Sequence, residues 1–173
     1  MIAAHIFGFA GLAFIVAAWQ FDRREVILWA NVSSFLCFAV ELYLLGALVG
    51  SIMMLTAAVT ATTAVYTQAN RIIVVLIVLP LLLSLTQLAH WYDVLTMLAH
   101  ITGVLTFFRK TTYAMRVWAP IGTVLWAIHN VIVGAWGQLL ADLFILSSMA
   151  VGALRHASSA ERVNTKPSAG RDG

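Results

Sequence analysis

Four ionisable side chains, Glu41, His100, His129 and Asp142, lie inside long apolar runs of this sequence. Placing such a group within a bilayer costs about 2.5–3.5 kcal/mol on insertion scales, so each one is a functional hypothesis by default. His129 is five residues before Gly134 and Asp142 five after Gly137. At about 1.5 Å of rise per residue both lie roughly 7 Å below one turn, level on neighbouring antiparallel helices. Glu41, five before Gly46, has the same depth below another turn, and Asn130 projects beside His129, about 100° around the helix. A carboxyl group and an imidazole in contact can exchange a proton near neutral pH, a chemistry suited to proton-linked solute movement. The expectation is that Glu41, His129, Asn130 and Asp142 line an outward-facing polar pocket that takes a small-molecule ligand. The competing reading is that they snorkel to headgroups or tie adjacent helices together. His100, alone in its segment, reads first as a packing residue and second as a site residue.

The elements that must position these groups follow from composition. Of 173 residues, 62% are hydrophobic and 10% charged, with a mean hydropathy of +0.94. Soluble domains are about 45–50% apolar and about 25% charged, so soluble and disordered classes are excluded and the bilayer becomes the solvent. The single Cys37 allows neither an internal disulfide nor a cysteine metal cluster. Polar clusters divide the chain into seven apolar stretches, near 2–21, 26–45, 50–67, 72–89, 94–108, 117–133 and 138–154. They are continuously apolar rather than alternating, which predicts an all-α polytopic membrane protein rather than a barrel. No Lys or Arg precedes Arg23, so the first stretch reads as a permanent span and not a secretion signal. If seven spans alternate, all ten Lys and Arg residues fall on one side. Basic loops stay in the cytoplasm, so the N-terminus is expected outside and the C-terminus inside. Aromatics concentrate near the span ends, with Trp126 the exception. The segment 155–173, polar and carrying four basic residues, reads as a disordered cytoplasmic tail.

Seven spans divide as three, one and three. A shift of 88 residues carries Gly46-Ala47 onto Gly134-Ala135 and Glu41 onto His129. The expected plan is therefore a parallel repeat of the kind found in SWEET transporters. Its first three-helix bundle is 1–67, its linker helix 72–89 with Pro80 central, and its second bundle 94–154. No P-loop, dinucleotide, zinc-protease or nucleophile-elbow motif occurs, so no enzyme, cofactor or metal is expected. The basic loop 109–116 is too sparse to indicate nucleic acid and reads as topology. Small residues at Ser148 and Gly152 are better explained by packing than by oligomerisation.

The run Trp126-Ala-Ile-His129-Asn130, followed by Gly134, Asp142 and Arg155, resembles the C-terminal signature of the YgjV-like bacterial inner-membrane proteins. Leu44-Leu45-Gly46 and the charged turn Asp22 to Glu25 are similar to that family as well. The resemblance covers nearly the whole chain, its specific part being Trp126 to Arg155, and it departs from the pattern at Glu41, where a histidine is expected. It implies an inner-membrane location and a multi-pass topology, with a distant similarity to the SWEET and PQ-loop group. No Pro-Gln dipeptide is present, so sugar transport is not carried over. Two functions compete: a small-solute permease, proton-linked through His129, and a non-transporting receptor-like or assembly module on the same scaffold. Convergence of Glu41, His129 and Asp142 on one wet cavity would favour the first, and sealing between helices the second. Single cysteines introduced near the two chain ends should label from opposite sides of the membrane; labelling from one side overturns the odd span count.

Overall fold

A computed structural model describes residues 2–21 and 23–164, and among these the regular secondary structure is all helical. Seven helices follow in chain order: α1 (Ile2–Trp19), α2 (Arg24–Leu44), α3 (Leu48–Tyr66), α4 (Asn70–Leu85), α5 (Asp93–Phe107), α6 (Thr112–Val133) and α7 (Trp136–Asn164). Each coincides with one apolar stretch of the sequence. By length and composition α2, α3 and the Tyr113–Val133 part of α6 suffice to cross a membrane, and the other four helices contain shorter apolar stretches. Large apolar side chains such as Ile6, Leu36, Val59, Val78 and Leu82 face outward all around the bundle. A surface of that kind is stable against lipid and not against water.

The expected boundaries shift by up to four residues elsewhere, α4 ending at Leu85 rather than near 89, and two differ more. The helix α6 begins at Thr112 rather than near 117, because the Thr111 hydroxyl accepts the Ala114 amide at 3.2 Å and caps it there. Polarity between 109 and 116 marks the edge of an apolar run, and the backbone starts its helix inside that edge. At the other end α7 continues to Asn164, which corrects the reading of 155–164 as unstructured. Ala, Glu and Arg favour helix, and the next proline is Pro167. The rest of the expected tail, 165–173, lies outside the described residues, as does Asp22 of the charged turn.

The main helix contacts close a ring. In order around it, α1 packs on α2, α2 on α3, α3 on α5, α5 on α6, α6 on α7, and α7 returns to α1. The helix α4 stays outside, against α3 and α5. Hydroxyl bonds stitch neighbouring helices within the ring: Ser34 donates to the Gly11 carbonyl at 2.9 Å and Ser51 to the Ala39 carbonyl at 2.8 Å. The turns after α2 and α6 are alike. Gly46 and Gly134 adopt φ of 80° and 73°, the left-handed region that glycine enters without strain. The next amide bonds back to the helix in both, Ala47 to the Leu42 carbonyl at 2.9 Å and Ala135 to the Asn130 carbonyl at 3.0 Å. These turns define a hairpin end of the bundle, opposite a basic end that carries Arg24 and Arg109.

Pro80 explains how α4 attaches. Proline has no amide hydrogen, so the carbonyl four residues back, that of Leu76, has no intrahelical partner. His100 on α5 supplies one: its Nε2 lies 2.9 Å from the Leu76 oxygen, which requires the hydrogen on Nε2. His100 is 3% exposed. Replacing it with Ala should cost ~1–3 kcal/mol of stability by leaving a buried carbonyl unpaired. In a Pro80→Ala background that cost should shrink, since the backbone amide regained at that position takes over the Leu76 oxygen. Thermal unfolding of the four proteins of this double-mutant cycle in detergent checks the coupling.

Candidate functional site

The helix α2 carries one charged clamp at each end. At the basic end Arg24 donates to the Ala64 carbonyl at 3.0 Å, the Phe107 carbonyl at 2.8 Å and the Arg109 carbonyl at 3.3 Å. Those oxygens belong to the last turns of α3 and α5 and to the second residue beyond α5, a place where helix carbonyls lack intrahelical partners and the dipole favours a cation. At the hairpin end Glu41, fully buried, accepts the amides of Gly137 and Gln138 at 3.3 Å each. A carboxylate at the first turn of α7 is the complementary arrangement. His5 on α1 completes it, its Nδ1 3.8 Å from the same carboxylate. The approach needs glycines: a methyl on Gly8 would collide with the Glu41 carboxylate, and one on Gly137 with the Gly8 backbone.

The second polar group lies across α6 and α7. Asn130 donates to Asp142 Oδ2 at 2.8 Å, and its own Oδ1 lies 3.4 Å from His129 Nδ1. His129 and Asn130 are fully buried. The His129 ring meets Trp126 edge-on, with centroids 5.7 Å apart, and Tyr92 at 5.8 Å. It also fills the space a side chain at Gly50 would need, Cε1 lying 3.1 Å from that position. Its Nε2 has no hydrogen-bond partner among the described residues. Asp93 is close enough to act on it electrostatically. The 88-residue shift carries His5 onto Asp93 and Glu41 onto His129, acid and base exchanged, but Asp93 Oδ2 accepts the amides of Ala89 and His90 and forms no ion pair with His129.

Below these groups, toward the basic end, a cavity of about 140 Å3 runs along the middle of the ring. Every ring helix contributes to its wall and α4 contributes nothing. The same shift relates wall residues to one another, Ile27 to Met115, Phe38 to Trp126, Ala57 to Ile145 and Met54 to Asp142. The last pair gives the cavity a polar side. Asp142 and Gln138 on α7 line it together with Phe35, Phe38 and Met54 of the first three helices. Gln138 is 1% exposed, its amide nitrogen 3.9 Å from the Met54 sulfur, and its Oε1 has no partner among the described residues.

Of the residues expected to share one pocket, Asp142 lines the cavity, while Glu41, His129 and Asn130 are packed between helices above it. The physical reason is that a helical period places residues on a face without saying which neighbour that face meets. The imidazole–carboxylate pair is also not in direct contact, because the Asn130 amide stands between His129 and Asp142. Snorkelling is excluded for all three sealed residues by their burial. His100 does reach the cavity wall in addition to holding Leu76. Arg24, Gln138, His5 and Asp93 are additions that the sequence reading lacks. Applying the 88-residue shift to His5 would have found Asp93, whereas Gln138 and Arg24 carry no signal apart from the polarity of their ends. Among the described residues no three His, Cys, Asp or Glu side chains converge as a metal set would.

Glu41→Gln leaves one acceptor for two amides, and Arg24→Lys replaces a three-carbonyl fork by a point charge. Each should lower stability by ~1–3 kcal/mol. Gly137→Ala, which forces α1 from α7, should lower it further. Melting of the purified variants followed by tryptophan emission checks this order.

No curated protein and no solved structure matches the chain. Its sequence does match the Imp-YgjV family, described as bacterial inner membrane protein, over residues 2–160, and the chain belongs to that family.

Proposed function

We propose that this protein is a small-solute permease whose binding chamber is the cavity enclosed by α1, α2, α3, α5, α6 and α7. The observation that carries this reading is the wall itself. A buried carboxyl group, Asp142, lines a cavity at the meeting of two sets of three helices, and Gln138, one turn before it on α7, keeps its Oε1 buried without a partner among the described residues. Buried polar groups are normally paired within a fold, and one left facing a cavity is available to something that enters it. In this reading all seven helices cross the membrane, 1–67 and 94–154 form two parallel three-helix halves, and α4 is the linker that lets them run parallel. The basic end faces the cytoplasm, as Arg24, Arg109 and Lys110 favour. Proton linkage, if the transport cycle uses it, passes through Asp142 at the wall, with His129 held beside it through Asn130.

A second reading, a non-transporting receptor-like or assembly module, is favoured by one observation: Glu41, His129 and Asn130 are sealed between helices. A cavity-filling substitution separates the two. Gly103 lines the cavity, and a Cβ there meets no atom within 4 Å. Gly103→Leu should enter the chamber from a position where the Cβ itself meets nothing, and replacing a helical glycine adds ~0.5–1 kcal/mol of helix stability. Proteoliposomes offered a metabolite extract and analysed by mass spectrometry should accumulate a solute with the parent protein and lose it with Gly103→Leu. Equal contents for both proteins and for empty vesicles would overturn transport in favour of the module.

A further inference from the structure

We propose that the chamber selects a small protonated amine with a compact apolar body, the ammonium held at Asp142. This rests on the chamber reading above and adds the class of ligand. The argument is the hydrogen-bonding sense of the wall. The hydroxyls of Thr60, Thr106 and Thr123 donate their single hydrogens to the carbonyls of Thr56, Thr102 and Ala119, four residues back on their own helices. What they turn toward other partners is lone pairs. His100 spends its Nε2 hydrogen on Leu76, leaving Nδ1 of the neutral ring an acceptor. Gln138 Oε1 is unpartnered at 1% exposure. Asp142 accepts one bond from Asn130 and, among the described residues, joins no ion pair, since His5–Glu41 is the pair found there.

Against these acceptors stand few donors: the second hydrogens of the Asn31 and Gln138 amides, and the Trp126 indole. Among the described residues no Lys or Arg lines the cavity. An anion would meet a carboxyl group with no cation to offset it, whereas an ammonium brings both the donors and the charge the wall lacks. Trp126 and Phe38 are aromatic lining residues, and aromatic rings attract a cation and pack against its methyl groups. Phe35 and Met54 add apolar wall that accepts hydrocarbon. The volume fixes the size: an engineered cavity of roughly 150 Å3 admits benzene, so about six non-hydrogen atoms fit here.

Three probes share one carbon skeleton of that size and differ in the head group: isopentylammonium, 3-methyl-1-butanol and isovalerate. Binding to the full-length protein in detergent at pH 7 is followed by tryptophan emission and thermal shift. Isopentylammonium should bind saturably, at least tenfold tighter than the alcohol, with no binding of isovalerate. Asp142→Asn keeps an oxygen for the Asn130 amide and should reduce ammonium affinity at least tenfold while leaving the alcohol unchanged. Gln138→Met, which removes the unpartnered oxygen and fills its space with an apolar chain, gives a second reading and should narrow the same preference. Equal or tighter binding of the alcohol or isovalerate, or an ammonium preference that survives in both variants, overturns the proposal. If those neutral or anionic probes bind and Gly103→Leu blocks them, the amine class falls while the chamber stands. If none of the three binds, the amine class falls and the vesicle experiment decides the chamber separately.

Discussion

Lipid supplies no hydrogen-bond donors or acceptors, so every helix end that reaches the bilayer must find its partners inside the protein. This constraint organises the bundle through α2. Its basic end brings a guanidinium to the terminal carbonyls of α3 and to Phe107 and Arg109 at the end of α5, and its hairpin end brings a carboxylate to the first amides of α7. Both clamps also link the first three helices to the last three: Arg24 reaches α5, and Glu41 reaches α7. The two seams of the ring, α3 with α5 and α7 with α1, are therefore tied by charges on one helix. Pro80 shows the same rule in miniature, since the carbonyl it frees is taken by His100 and the outlying helix is thereby docked.

The polar layer above the cavity and the cavity itself have different jobs. Glu41, with the half-buried His5 beside it, and the buried His129, Asp93 and Asn130 touch helix starts, glycines and aromatic rings. Their geometry is that of groups fixing how helices meet. Asp142 belongs to both regions, since one oxygen is bound by Asn130 and its side chain reaches the wall below. It is the residue through which an event in the cavity could be felt by the layer above. In the proposed permease this places the ligand's charge one hydrogen-bonded amide away from His129.

The difference between the two sides of the cavity has a simple origin. Where the 88-residue shift places Phe35 and Met54 in the first three helices, it places Thr123 and Asp142 in the last three. Positions related by the shift share the wall but differ in chemistry, and the lining is accordingly apolar at some of them and polar at their counterparts. The exchange of acid and base between His5–Glu41 and Asp93–His129 follows the same pattern in the layer above.

Composition and the spacing of polar breaks determined that the chain is a helical membrane protein, how many helices it forms and where they turn. Those properties depend on runs of side chains averaged over about 20 residues, and such averages survive without knowledge of neighbours. The residues Trp126, His129, Asn130, Gly134 and Asp142 also sufficed to indicate the family. Which helices touch, and hence which polar groups meet, was decided only in three dimensions. A carboxyl group at a given depth has the same sequence signature whether it caps a distant helix, as Glu41 does, or faces a cavity, as Asp142 does. The difference lies in crossing partners set by glycines at Gly8 and Gly137, and close approach of backbones is a property of pairs of helices that no single stretch of sequence encodes.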